Sequence, residues 1–143
     1  MASKLRHIAI SVRDPEKAAQ FFEQAFGMTR AGNAQRGFYM TDGIFNVALL
    51  NFGDEKIDGF EDRPGVQGLI HFGMWVDSVE ESDKAIKAAG GRHVTGRKET
   101  GPNVYYEVKY ATPEGFIFDV TESGWRGAVK DVVPTPKAKD AAA

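Results

Sequence analysis

Two histidines in this chain stand at the same place in a repeated phrase. His7-Ile8-Ala9-Ile10-Ser11-Val12 returns 64 residues later as His71-Phe72-Gly73-Met74-Trp75-Val76. Imidazoles at equivalent positions of a duplicated unit are brought together by a pseudo-twofold axis, and a carboxylate beside them completes a donor set for a divalent metal. Asp119 is the carboxylate on the matching parity, set between Phe118 and Val120 in the alternating stretch from Phe116 to Thr121. Two histidines and one carboxylate on a common face leave coordination positions open. A metal so held polarises a carbonyl, acidifies water or, as Fe(II), binds dioxygen beside a chelated substrate. Tyr105, Glu107 and Lys109 fall on the same face and are the candidate catalytic groups, because a Glu or Lys partly desolvated beside a metal is tuned toward proton transfer. The same parity also suits a salt bridge between Glu107 and Lys109, two positions apart. Glu122 is a further carboxylate, but its parity turns it away.

The elements that must position these groups follow from hydrophobic period. Leu5 to Val12 alternates, with Ile8, Ile10 and Val12 on one face and His7, Ala9 and Ser11 on the other, as a strand with two different faces does. Asp14 caps a helix that starts at Pro15, carries Ala18, Phe21, Phe22, Ala25 and Phe26 at helical spacing, and stops at Gly27. Strands follow around Arg36 to Met40 and Ile44 to Asn51, joined by Asp42-Gly43. The second unit repeats the plan: a strand over Leu69 to Val76, a helix over Ser78 to Ala89 before Gly90-Gly91, and strands over Val104 to Tyr110 and Phe116 to Thr121. The expected organisation is one domain over 1–143: a module over 4–52, a linker over 53–68, a module over 69–122 and a weakly ordered tail over 124–143, in which Trp125 alone looks able to dock. Ser11, Phe45, Val47, Leu49, Trp75, Asn103 and Ile117 are expected to line the cup between the units, shaped for a small planar substrate.

Bulk composition narrows the classes. The 143 residues carry 18 basic and 20 acidic side chains for a net charge of −2, without the basic stripe of a nucleic-acid binder. Absence of cysteine excludes disulfides and thiolate nucleophiles. No stretch approaches the roughly 20 apolar residues of a membrane span, and Met1 to Ser11 lacks the apolar core of a signal peptide. A cytoplasmic protein with a small-molecule partner, and neither nucleic acid nor membrane, is the expectation.

The paired units, the histidine opening each, and the closing Thr112-Pro113-Glu114-Gly115-Phe116-Ile117-Phe118-Asp119 resemble the vicinal oxygen chelate superfamily over Leu5 to Thr121. That superfamily includes glyoxalase I, extradiol dioxygenases, methylmalonyl-CoA epimerase, fosfomycin-resistance enzymes and bleomycin-binding proteins. The resemblance implies an α+β fold: two βαβββ modules forming a cupped mixed sheet with helices on its convex face. It further implies an enzyme that chelates vicinal oxygens of its substrate on a divalent ion, and a homodimer. The superfamily's closing motif usually ends in a Glu ligand, where this chain has the shorter Asp119. Glyoxalase I and the epimerase also place a fourth ligand in the first unit's last strand. Aligning Gly43 with Gly115 puts Val47 opposite Asp119, which disfavours their four-ligand chemistry. Three ligands and the closing turn tilt the reading to extradiol-like dioxygenase chemistry, with Fe(II) the favoured ion and Mn, Zn, Ni and Co the other candidates. Against this, the dioxygenase signature has a His near Asn103 and a Tyr at Lys109. A glyoxalase-like lyase or isomerase is the first alternative, and a bleomycin-resistance-like binding protein without catalysis the second.

Overall fold

The computed structural model describes residues 3–134 and 136. Ten elements follow in chain order: β1 (Lys4–Ser11), α1 (Pro15–Phe26), β2 (Thr29–Ala34), β3 (Gly37–Thr41), β4 (Asn46–Leu50), β5 (Gly68–Trp75), α2 (Val79–Ala88), β6 (Arg92–Thr95), β7 (Val108–Ala111) and β8 (Ile117–Thr121). The strands form one mixed sheet in the order β2-β3-β4-β1-β5-β8-β7-β6. Each half is a βαβββ module, and the halves join where β1 runs antiparallel to β5. In that register Ile8 faces Phe72, His7 faces Gly73 and Ala9 faces His71, so the pseudo-twofold axis passes between Ile8 and Phe72.

Local chemistry explains the helices. Asp14 accepts a hydrogen bond from Lys17 N at the start of α1, Pro15 occupies the first helical position, and Gly27 ends the helix at φ +67°. Ser78 caps α2 through Glu81 N. Glu122 adds a second cap there: its Oε2 accepts from Val79 N while Oε1 pairs with Lys98, which keeps it away from the cup.

Two apolar clusters sit under the helices. Ala19, Met40, Val47 and Leu49 pack with Ile8, Ile10 and Phe22 beneath α1. Val76, Val108, Tyr110, Phe118 and Val120 pack with Phe72, Met74 and Ile86 beneath α2. A third cluster lies on the concave face, where Ala9, Ala48 and Ile70 meet Ile57 and Phe60 of the segment between β4 and β5.

Several expectations need correcting. β2 and β6 were not anticipated: both are edge strands with interrupted registers, at Arg30/Gly32 and at His93/Thr95, so neither shows a clean alternation. The expected strand over Val104 to Tyr110 pairs only from Val108. The Asp42-Gly43 hairpin is real but its loop is longer than two residues, because Asp42 Oδ1 accepts from both Ile44 N and Phe45 N before β4 begins. The expected weakly ordered tail falls partly outside the described residues, at 135 and 137–143. Its first part is a strap laid across the sheet. Trp125 is buried, Val129 N donates to Ile44 O, and Arg6 donates to the carbonyls of Val129 and Lys130.

Candidate metal centre

The central strands deliver His7, His71 and Asp119 to one point on the concave face. Parallel pairing of β5 with β8 sets Gly73 beside Asp119, and the antiparallel β1–β5 seam sets His7 beside Gly73. Glycine at 73 is required, because a Cβ there would lie 2.9 Å from that of His7 and 2.6 Å from the Trp125 ring. The donor atoms crowd together: His7 Nε2 to His71 Nε2 is 3.2 Å, His71 Nε2 to Asp119 Oδ2 is 3.0 Å, and His7 Nε2 to Asp119 Oδ2 is 3.8 Å. Metal–ligand bonds of about 2.1 Å give donor–donor edges of roughly 3.0–3.4 Å, so these separations are close to those of a coordination polyhedron.

Two further observations fit a cation. Asp119 is fully buried, and its Oδ2 accepts no hydrogen bond although His71 stands next to it. An ionised oxygen left so is costly unless a positive group completes it. His7 Nδ1 lies 2.7 Å from Asn46 Oδ1, while Asn46 Nδ2 donates to the Arg126 carbonyl at 2.8 Å. The amide is thereby oriented with its oxygen toward the imidazole, His7 carries its proton on Nδ1, and Nε2 presents a lone pair to the site. Burial foremost, with His71 beside it, lowers the His7 pKa to about 4, so the ring is neutral at pH 7. Burial alone would raise Asp119, but His71 and Lys109 outweigh it and hold the carboxyl below its ordinary range.

The candidate catalytic groups separate. Lys109 Nζ donates to Asp119 Oδ1 at 2.7 Å, so the lysine fixes the carboxylate and does not pair with Glu107. Glu107 Oε1 lies 3.9 Å from His7 Nε2 and accepts from Trp125 Nε1 at 2.6 Å. Partial desolvation and the neighbouring Asp119 charge push its pKa up, although the side chain stays 38% exposed. Tyr105 is 51% exposed and lies outside the donor cluster, with the Arg126 guanidinium 5.4 Å from its ring centroid.

The expected lining residues divide as well. Ile117 lines a groove of about 400 Å³ that reaches His71, and Asn103 lines a polar pocket of about 410 Å³ that reaches Glu107 and Trp125. Val47 and Leu49 do not face the cup: β4 pairs parallel to β1 with Ile8 opposite Val47 and Ile10 opposite Leu49, which sends both under α1. Phe45 precedes β4, 5.7 Å from the Arg6 guanidinium. Ser11 pairs with Leu50 and Gly68 at the far end of β1, in a separate cleft with Asn51 and Val66. Trp75 packs on Gly124 and donates to Glu122 O. The tryptophan at the histidines is Trp125, stacked on His7 at 4.8 Å and 9° between planes. Asn46 was missed altogether, although a polar residue opening an apolar strand was a readable signal.

Register also corrects the position equivalent to Asp119. Ala9 pairs with Ala48 as Gly73 pairs with Asp119, so the counterpart is Ala48 and not Val47. The first module still contributes no carboxylate there.

The family model of the Glyoxalase/Bleomycin resistance protein/Dioxygenase superfamily matches residues 4–120. A probable lactoylglutathione lyase, chloroplastic, of Arabidopsis thaliana is 27% identical over 134 residues, covering 85% of this chain but only 36% of the plant protein's length. The Mn(II)-bound glyoxalase from Novosphingobium aromaticivorans superposes with a TM-score of 0.64 at 17% identity, over 91% of this chain and 42% of that one. A methylmalonyl-CoA epimerase in complex with methylmalonyl-CoA and NH4+ gives 0.62 at 15% identity, over 84% of this chain and 94% of the other. At such identities the structural likeness is one of fold. Because the family model runs through both βαβββ modules, the chain belongs to the Glyoxalase/Bleomycin resistance protein/Dioxygenase superfamily.

Proposed function

We propose that this protein is a metal-dependent enzyme that binds vicinal oxygens of a small substrate and moves a proton at the carbon next to a carbonyl, a glyoxalase-like lyase or isomerase in reaction class. The observation that carries the reading is a buried carboxylate oxygen without a hydrogen bond, beside two imidazole nitrogens, with a second carboxylate 3.9 Å from one of them. His7, His71 and Asp119 would hold a divalent ion, which would supply Lewis-acid polarisation of a substrate carbonyl oxygen. Glu107 then serves as general base, taking the proton onto a carboxylate that Trp125 Nε1 orients. Its raised pKa suits that task, since a base poised nearer neutrality both accepts and returns the proton. Lys109 holds Asp119 in place, and Asn46 holds His7 in the tautomer that offers Nε2. Proton transfer needs no redox-active ion, so Mn, Zn, Ni or Co serves as well as Fe(II).

Ala48 in place of a fourth donor favours a second reading, extradiol-like dioxygenase chemistry on Fe(II). A pure binding cup is the weaker reading, because it leaves the His71 imidazole, 3.0 Å away, as the one group offsetting the burial of Asp119 Oδ2. Homodimer formation belongs to the proposal only as an oligomeric state, since one chain supplies all three ligands.

Metal analysis after reconstitution is expected to find one ion per chain in the wild type and loss of it in His7→Ala and Asp119→Ala. Absence of stoichiometric metal from the wild type sinks the metalloenzyme reading. Deuterium exchange beside the carbonyl of a panel of 2-oxo and 2-hydroxycarbonyl compounds is expected in wild type and lost in metal-loaded Glu107→Gln. Oxygen uptake on catechols under Fe(II), without such exchange, selects the dioxygenase instead.

A further inference from the structure

The strap that brings Trp125 onto His7 also brings Arg126 into the polar pocket that reaches Glu107, and among the described residues no carboxylate forms an ion pair with it. Among the described residues the Arg126 side chain makes no hydrogen bond and no ion pair; its guanidinium lies 5.4 Å from the Tyr105 ring centroid and acts electrostatically on Tyr39. Its position is nonetheless built. The stem runs over Gly32, where an added Cβ would lie 2.8 Å from Arg126 Cδ. The backbone is tied to the metal centre itself, because the Arg126 carbonyl accepts from Asn46 Nδ2 and Asn46 Oδ1 pairs with His7.

The pocket in front of this guanidinium holds about 410 Å³, the size of a small-molecule site. Asn33, Gln35 and Asn103 line it with side-chain amides that make no hydrogen bond among the described residues, and the Tyr39 and Tyr105 hydroxyls are equally uncommitted. Its one acid, Glu107, is already engaged by Trp125 Nε1. Neutral amides and hydroxyls thus make up most of the lining around a guanidinium that forms no ion pair among the described residues, with Glu107 the one carboxylate in the pocket. Arginine's planar fork matches a carboxylate through two parallel hydrogen bonds, a recognition that lysine does not reproduce.

We propose that the ligands of this cup are small organic acids, whose carboxylate is held by Arg126 in the polar pocket while their oxygenated end points past Glu107 and Trp125 to His7, His71 and Asp119. The inference rests on the functional reading above for that second end only; recognition of the carboxylate belongs to the pocket.

The test is direct binding by calorimetry, on metal-loaded protein and on protein stripped with chelator, with 5-hydroxy-4-oxopentanoate and 6-hydroxy-5-oxohexanoate, whose vicinal oxygens lie at the end away from the carboxylate, their methyl esters, and inorganic phosphate as probes. Wild type is expected to prefer each acid over its ester by about tenfold or more, the scale of one charged bidentate contact. Arg126→Gln is expected to abolish that preference while retaining its metal, and Arg126→Lys to restore it only in part. Retention of the acid-over-ester ratio in Arg126→Gln overturns the proposal, as does failure of both acids to bind at millimolar concentration. Phosphate binding that depends on Arg126 without any acid-over-ester preference also overturns it. A protein that takes up no metal yet discriminates acid from ester through Arg126 refutes the metalloenzyme reading and leaves the carboxylate site standing.

Discussion

The two equivalent histidines are chemically unequal, and one neighbour makes the difference. Register places Asn46 beside His7, and among the described residues only His7 gains a side-chain amide on Nδ1. That bond fixes the tautomer, while burial foremost, with His71 beside it, commits His7 to the neutral form against the opposing pull of Asp119 and of the Asn46 bond itself. The consequence for stability has a definite sign. His7 has an ordinary pKa of 6.5 lowered to about 4 in the fold, so the unfolded chain binds the additional proton between those values. Stability contributed by neutral His7 is present above pH 6.5 and is lost as the pH falls through that window, by roughly 3 kcal/mol in all. Urea unfolding of chelator-treated protein at pH 7, 5.5 and 4 is expected to show this loss in the wild type and a flatter profile in His7→Gln. Equal profiles refute the assignment.

At the level of elements, the sheet gathers the ligands and the strap conditions them. Trp125 reaches His7 only because Gly73 leaves room, its missing Cβ position lying 2.6 Å from the indole. Gly73→Ala is therefore expected to lift the indole from His7 and release Glu107 from Trp125 Nε1, at a cost of about 1–3 kcal/mol for overpacking. In a Trp75→Phe background the emission of Trp125 should shift to the red; unchanged emission with unchanged stability shows that the strap does not close on the sheet there. The elements that could be read from sequence are those that a two-sided environment writes into the residues. β1, β5 and β8 each separate an apolar helix side from a concave side, which is why His7, His71 and Asp119 could be grouped before any coordinates. Edge strands β2 and β6 bury little on either side and carry bulges, so no alternation marks them. For β4 the face was misassigned because the loop after Asp42 holds its own side-chain hydrogen bonds, and the glycine of that turn is not in register with Gly115. Arg126 and Asn46 escaped for another reason: their roles depend on a strap crossing the sheet from far along the chain, a contact without local periodicity.

At the scale of the whole molecule, the pseudo-twofold axis makes a prediction about a ligand position that the chain leaves empty of donors. Ala48 stands to Ala9 as Asp119 stands to Gly73, and it is buried with Ile57 and Ile70 on the concave side. Val47, one residue earlier, is buried with Ala19, Met40 and Leu49 on the helix side. A carboxylate introduced at these neighbours should have opposite consequences for metal binding. Ala48→Glu is expected to extend a fourth donor toward the site, tightening Mn(II) or Zn(II) binding by on the order of ten- to hundredfold, the scale on which supporting groups alter metal sites. It should lose stability when stripped and regain much of it when metal is added, since a ligand that binds only the folded state stabilises it. Val47→Glu places an unpaired charge beneath α1, costs several kcal/mol on the order of 3–5, and should leave metal affinity no higher. Chelator competition together with urea unfolding, each with and without metal, separates the two. Tighter binding by Val47→Glu, or a folded Ala48→Glu with unaltered affinity, shows that the two halves are not related by the register of β1 with β4 and β5 with β8. Because both variants add the same side chain one residue apart, a general gain of negative charge cannot produce the expected contrast; only the alternation of faces along β4 does.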